Sequence, residues 1–239
     1  MRKYYFLTVD TETTMSDMTA DFSAVVSDRK GNIVTQCAVL VRGIFDDREN
    51  HTLFHNENIG DLWKADKLDS RYEAYQLMVD SGSRMLASIG AINNWLMMAK
   101  CQYDPILTAY NLPFDVNKCQ NTGINLTPFH RRFCLWSASV TAFAETKKYR
   151  RFILENHLFK AVTKYGNMTY PTNAETMARF ILGNNQLPDE PHTALEDIIG
   201  YEKPILDRLL KAKTVKWLLN EVRPYNWRNF QVKDWFKPS

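Results

Sequence analysis

The stretch YYFLTVDTET, at residues 4–13, restricts the fold more than any other part of the sequence. It is an apolar run of β-branched and aromatic residues without helical spacing, and it ends abruptly at two acids, which is typical of a short buried strand. Side chains alternate between the two faces of a strand, so Asp10 and Glu12 project to the same side. The sequence therefore predicts a buried strand that carries two neighbouring carboxylates at its end.

Two interpretations of this acidic pair are open. The carboxylates repel each other unless a cation lies between them, and a hard divalent cation such as Mg²⁺ prefers oxygen ligands. Alternatively, the Asp-Thr-Glu sequence at 10–12 only ends the strand and begins a loop. Because such short matches recur by chance, the choice depends on the rest of the chain.

The next two apolar runs predict a hairpin. FSAVVS at 22–27 and IVTQCAVLV at 33–41 are joined by DRKGN at 28–32, whose Gly and Asn are typical of a tight turn. Strands one to three are therefore expected to form an antiparallel meander. The 239 residues, 45% apolar and 24% charged, suffice for one substantial α/β domain or two small ones, and the composition is that of a globular protein.

Further along, a helix and a strand lead to a third acid. Apolar positions recur at steps of three and four over 83–100, which predicts a helix that packs on the core, with Ser83 as its N-cap. PILTAY at 105–110 is another short buried strand. The sequence NLP at 111–113 then begins a helix, so Asp115 falls in its first turn. An acid at that position also suits the helix dipole, whatever its function.

The last informative motif is HTALED at 192–197. Thr193 and Glu196 have the spacing of a capping box, T-x-x-E, which predicts that a helix starts at Thr193. This places His192 just before the helix and Asp197 one turn inside it. A lone histidine in a loop is usually only solvated, so its function depends on its neighbours.

In this order the motifs resemble those of the DnaQ-like exonucleases, the DEDDh family of 3′→5′ exonucleases. The family pattern has D-x-E on the first strand, N-x-x-F-D after a later strand and H-x-x-x-x-D at a late helix. This chain has DTE at 10–12, NLPFD at 111–115 and HTALED at 192–197. Each match is short, but the shared order, the elements that carry the motifs and a spacing that spans nearly the whole chain argue against coincidence.

The resemblance implies an α/β fold of the RNase H-like type, a mixed central sheet whose first three strands are antiparallel, flanked by helices. It also implies two divalent ions, Mg²⁺ or Mn²⁺, held by four carboxylates, with His192 as the general base. These carboxylates are Asp10, Glu12, Asp115 and Asp197. The residues implied to contact the terminal nucleotide are Thr11, Thr13, Asn111 and Phe114. The implied activity is hydrolysis at the 3′ end of single-stranded DNA or RNA, which releases nucleoside 5′-monophosphates.

The resemblance implies one exonuclease domain over residues 1–215, with an insertion-like segment at about 43–82 that matches no motif and could shape the substrate channel. Residues 216–239 form a basic, aromatic tail. Nine cations and three anions between residues 203 and 239 leave a charge of +6 there, against −3 in the rest. Aromatic residues between cations suit single-stranded nucleic acid, but a tail that packs on the domain with its cations in water explains the pattern equally well.

The competing function is an inactive nucleic-acid-binding module with the same fold. All five metal and base positions carry the required residue types, which favours the enzyme. The choice between DNA and RNA is open. The four cysteines lack metal-ligand spacing, and no apolar run is long enough for a signal sequence or a membrane span. We therefore expect a soluble intracellular protein in the cytoplasm, or in the host cytoplasm if a virus encodes it.

Overall fold

A computed structural model describes residues 3–158, 160–161, 168–184 and 186–224. The strands of its central sheet are β1 (Tyr5–Thr13), β2 (Thr19–Asp28), β3 (Ile33–Val41), β4 (Leu86–Ala87) and β5 (Ile106–Thr108). They lie in the order β4-β3-β2-β1-β5. β2 is antiparallel to both β1 and β3, whereas β5 is parallel to β1 and β4 is parallel to β3. A separate antiparallel pair is formed by β6 (Lys160–Ala161) and β7 (Met168–Thr169).

Helices and short helical turns make up most of the remaining described chain. The α-helices are α1 (Leu68–Asp80), α2 (Ile89–Tyr103), α3 (Leu112–Thr122), α4 (Leu135–Ser139), α5 (Lys147–Glu155), α6 (Ala174–Leu182), α7 (Ala194–Asp197), α8 (Lys203–Ala212) and α9 (Val215–Asn220). Wider, π-helical turns follow α4 and α7 at Val140–Ala144 and Ile198–Glu202. Two 3₁₀ turns, Asp61–Trp63 and Ala65–Lys67, lead into α1. None of the helices in this part of the chain is long and apolar enough to cross a membrane.

The sheet is covered on both faces because its side chains alternate along each strand. Leu7 and Val9 of β1 belong to a core that includes buried residues of α1, α2 and α3. Phe6, which points to the opposite face, belongs to a second core with α4, α5, α6, α8 and α9. The prediction of a mixed sheet with three antiparallel strands first, flanked by helices, is confirmed. This arrangement is compatible with the RNase H-like fold.

The predicted hairpin between the second and third strands is also confirmed. The Asp28 carboxylate accepts hydrogen bonds from the backbone N–H groups of Lys30 and Asn32, which closes the turn. Gly31 has a φ of 88°, in the left-handed region. A Cβ at this position would lie 2.8 Å from the carboxylate oxygens of Asp207 on α8. The backbone conformation therefore favours glycine here, and any side chain would also displace the carboxylate of Asp207.

The helix predicted over 83–100 starts later than expected. Leu86 and Ala87 pair with the end of β3 as β4, so the chain stays extended until Ser88. The Ser88 hydroxyl, rather than that of Ser83, caps α2 by accepting the Ala91 N–H at 3.2 Å. The apolar stripe itself does pack inward, through the buried residues Ile92, Leu96 and Ala99.

Most of the predicted basic tail, residues 225–239, lies outside the described residues. The part of the tail that is described includes most of α9. Val215 and Leu218 of this helix are buried in the second core. The chain therefore remains attached to the domain at least as far as α9.

Candidate metal centre

The five residues that the sequence marks for metal binding and proton transfer line one cleft of about 350 Å³. They reach it from β1, from α3 and from the start of α7, and they are Asp10, Glu12, Asp115, His192 and Asp197. Thr11, Thr13 and Phe114 line the same cleft, whereas Asn111 lines a separate cavity. Residues far apart in the sequence are thus brought to one site by the fold.

The residues of the DTE sequence on β1 have two different roles, because they point to opposite faces of the strand. Asp10 and Glu12 share one face of the strand, and Thr11 between them takes the other. Thr11 Oγ1 donates to Asp115 Oδ1 at 3.0 Å in a buried contact between β1 and α3. Thr11 therefore orients the carboxylate of Asp115, whereas Asp10 and Glu12 present their own carboxylates to the cleft.

The turn from β5 into α3 positions Asp115. Asn111 at the N-cap of α3 has a φ of 73°, a left-handed conformation that asparagine tolerates better than most residues. The strand thus enters the helix within a few residues, with Pro113 in its first turn. Asp115, in the same turn, is only 1% exposed. The positive end of the helix dipole lies beside this carboxylate, as the sequence also suggested.

α7 starts where the sequence predicts, but the capping box is wrong. Thr193 is the N-cap residue, yet its side chain makes no capping hydrogen bond. Instead, Asp21 Oδ2 of β2 accepts the Ala194 N–H at 3.0 Å. Glu196 pairs with the guanidinium of Arg84 at 2.5 Å, and Arg84 also contacts Asp21 at 3.4 Å. A tertiary ion pair has therefore replaced the local cap and ties the start of α7 to the sheet.

His192 occupies a constrained position at the mouth of this helix. Its φ is 54°, a left-handed conformation that costs on the order of 1–3 kcal/mol for a residue with a side chain. Its ring lies 4.7 Å from the ring of Trp63, centroid to centroid. Burial, and secondarily the positive charge of Arg71, lower the pKa of His192 to about 4. The imidazole is therefore neutral at pH 7 and able to accept a proton or a metal.

The carboxylates of the cleft are crowded and poorly solvated. Burial, reinforced by the Asp21 charge, raises the pKa of Glu12 to about 8. Burial raises the pKa of Asp115 to about 8, and burial together with the Glu190 charge raises the pKa of Asp197 to about 10. The pKa of Asp10 is also raised well above its usual range, first by burial and then by neighbouring acids. Without a cation, this cluster stabilises bound protons.

The residues present fit a divalent cation. Glu12, His192 and Asp197 each offer a ligand atom, and these atoms all lie within 4.8 Å of one another. The Oδ1 atom of Asp197 is buried and has no hydrogen-bond partner within the described part of the chain. A buried polar atom without a partner is costly unless a ligand satisfies it. The cluster could therefore hold a metal ion, and its mainly oxygen donors suit a hard one.

Two further acids escaped the sequence reasoning. Glu190 lines the cleft, and burial raises its pKa to about 7. Glu202 is 2% exposed, accepts the Tyr110 N–H through Oε1 at 3.1 Å, and leaves Oε2 without a described partner. Burial raises the pKa of Asp10 most, and the charge of Glu202 is the second largest cause.

Glu202 was missed because of helical geometry. It follows Asp197 by five residues, a spacing that would put it about 140° around a regular α-helix. The π-helical turn Ile198–Glu202 has wider spacing, which favours residues five apart on the same side. The sequence carries no recognisable signal for such a turn.

No family model matches this chain, and no curated protein matches it.

Proposed function

We propose that this protein is a metal-dependent 3′→5′ exonuclease of the RNase H-like fold. It would hydrolyse phosphodiester bonds at the 3′ end of single-stranded DNA or RNA and release nucleoside 5′-monophosphates. The observation that carries the proposal is the convergence of four acids and a histidine from three distant motifs on one cleft. The shared cleft is a geometric observation that does not depend on the order of the motifs in the sequence.

The carboxylates of Asp10, Glu12, Asp115 and Asp197 would hold two divalent ions, Mg²⁺ or Mn²⁺. Such ions, when bound, lower the pKa of an attacking water and offset the charge of the leaving 3′ oxygen. Thr11 keeps Asp115 oriented through its 3.0 Å hydrogen bond. Because the four acids are crowded and buried, a doubly charged cation would offset the repulsion between their deprotonated forms.

His192 would accept the proton of the attacking water on a ring nitrogen. Burial lowers its pKa, so this nitrogen is unprotonated at pH 7, although it is a weaker base than an ordinary imidazole. The ring lies close to Glu12 and Asp197, so it is near the place where a metal-bound attacking water would lie. We assign it the role of base rather than of ligand because Mg²⁺ prefers oxygen donors.

The walls of the cleft suit the end of a single strand. Phe54 and Phe114 line it, and the Phe114 side chain is 42% exposed. Aromatic side chains stack with bases of any sequence. Lys118 lies over the Phe114 ring with its Nζ 4.8 Å from the centroid, and it pairs with Asp17. A cleft of about 350 Å³ has the size of a site for one small ligand, which fits a terminal nucleotide better than a duplex.

The test is digestion of matched 3′-labelled DNA and RNA, single-stranded and duplex, with Mg²⁺, with Mn²⁺ and with a chelator. We expect metal-dependent release of mononucleotides from single strands. Asp10→Asn should lower the rate by more than about 100-fold, and His192→Asn by about 10²–10⁴-fold. Asp66→Asn, which changes an exposed acid of the 3₁₀ turn before α1, should not alter the rate.

Two outcomes would contradict the proposal. Asp10→Asn protein that digests the 3′-labelled strand at the wild-type rate would exclude this cleft as the active site. Binding of single strands without metal-dependent release would instead support the inactive binding module.

A further inference from the structure

The segment between β3 and α1, together with the first turn of α1, lies against the cleft. We propose that Arg71, Trp63 and His192 form a three-membered stack through which this segment holds the histidine side chain in place. Trp63 and Arg71 are thus positioning residues that act on His192. The catalytic consequence rests on the proposed function, but the stack itself does not.

The first contact of the stack joins Trp63 to His192. The two rings lie 4.7 Å apart at an angle of 55°, and both line the cleft. The backbone of His192 itself is left-handed, and the orientation of its side chain depends on the neighbouring side chains. An aromatic ring at this distance restricts the rotation of the imidazole.

The second contact places Arg71 on Trp63. The guanidinium carbon lies 4.6 Å from the Trp63 ring centroid, within the range of a cation–π contact. Arg71 is 6% exposed and donates from Nη1 to the Phe54 carbonyl at 2.7 Å. Its Nη2 atom is buried without a hydrogen-bond partner among the described residues. A buried cation that leaves one donor unpaired is unfavourable for stability alone, which points to a function at the cleft.

The segment is itself anchored to the end of β1. The Phe54 N–H donates to the Thr13 carbonyl at 2.9 Å, and Thr14 pairs with Leu53 in an isolated antiparallel bridge. The Trp63 carbonyl accepts the Asn56 N–H at 2.7 Å. The stack is therefore fixed to the strand that carries the first two acids of the cleft. In this way the segment sets the position of His192 relative to those acids.

Nuclear magnetic resonance tests the stack without any activity. The ring current of Trp63 should shift the imidazole protons of His192 upfield, and loss of one signal in His192→Asn assigns them among the five histidines. Trp63→Leu should abolish the shift, and Trp63→Phe should retain part of it. Arg71→Met should reduce the shift, and Arg48→Met is its matched control, because Arg48 makes a similar contact with Tyr72 of α1, at 3.9 Å. An unchanged His192 signal in Trp63→Leu would overturn the inference.

Kinetics then test the positioning role. Trp63→Leu should lower kcat by roughly 10–100-fold while KM changes by less than about threefold. Trp63→Phe should recover most of kcat, and Arg48→Met should behave as wild type. A raised KM with unchanged kcat would mean that Trp63 only contacts substrate, and would overturn the inference. If the wild type hydrolyses no strand at all, the proposed function fails, while the resonance data still decide whether the stack exists.

Discussion

Without divalent metal, the protein should lose stability as the pH rises through neutrality. The native pKa values of Glu12 and Asp115 are about 8, and that of Asp197 is about 10. In the unfolded chain such carboxyls ionise near pH 4. Between these limits the native state binds more protons than the unfolded state, so the free energy of unfolding falls with pH. The protonated carboxyls contribute their full stabilisation below the pKa of the unfolded chain. This contribution is lost as the pH rises through the pKa of the native state.

The magnitude follows from linkage. Each carboxyl that is protonated only in the native state lowers the free energy of unfolding by about 1.4 kcal/mol per pH unit. Between pH 6.5 and 7.5 these acids, together with the neighbouring buried acids Asp10, Glu190 and Glu202, deprotonate as one interacting cluster. The loss is therefore on the order of a few kcal/mol, a large part of the 5–15 kcal/mol typical of a domain. His192, with its pKa lowered to about 4, contributes in the opposite direction, mainly below the unfolded value of 6.5 and by only about 0.3 kcal/mol between pH 6.5 and 7.5. The carboxyls therefore dominate the chosen window.

Urea unfolding at pH 6.5 and 7.5, in chelator and in saturating Mn²⁺, measures this effect. Bound metal requires deprotonated ligands, so Mn²⁺ should stabilise the protein more at pH 7.5 than at pH 6.5. Glu12→Gln removes one titrating group and a charge that raises the pKa values of Asp10 and Asp197, so it should reduce the loss by at least about 1 kcal/mol. Asp66→Asn, which changes an exposed acid, should leave the loss of stability between the two pH values unchanged. Equal stability at both pH values in chelator would refute the reasoning.

Two other predictions concern residues around the cleft. Arg84→Met should destabilise the protein by about 3–5 kcal/mol in urea unfolding, because it leaves the buried Asp21 carboxylate without its cation. Adding Asp21→Asn should restore part of that loss. If the double variant is no more stable than Arg84→Met, the unpaired Asp21 charge is not the cause of the destabilisation. Glu202→Gln keeps an acceptor for the Tyr110 N–H but removes a charge beside Asp10. It should weaken Mn²⁺ binding by roughly 10–100-fold in titration calorimetry, and an unchanged affinity would exclude Glu202 from the centre.

Features set by neighbouring residues were accessible from the sequence. The β2–β3 turn depends on Asp28, Gly31 and Asn32, which lie within five positions and carry their turn chemistry with them. Likewise, the entry into α3 depends on Asn111 and on Pro113, and both act locally. The position of Asp115 in the first turn follows from these residues alone.

Features set by distant partners were not accessible. Ser83 looked like an N-cap, but pairing of Leu86 with β3 keeps that stretch extended, and only the sheet determines this. Glu196 has capping-box spacing, yet an arginine 112 positions away takes its carboxylate. In both cases a tertiary contact is stronger than the local preference that a sequence pattern reports.

The contact between Asp21 and Ala194 has a consequence for the order of folding. These residues lie 173 positions apart in the sequence, and their hydrogen bond fixes the helix that carries Asp197. Contacts of such long separation close late, because the entropy of loop closure must be overcome first. A chain emerging from the ribosome could therefore complete its antiparallel meander well before it could assemble the acid cluster. Metal affinity in this protein would then report the completion of folding, rather than its beginning.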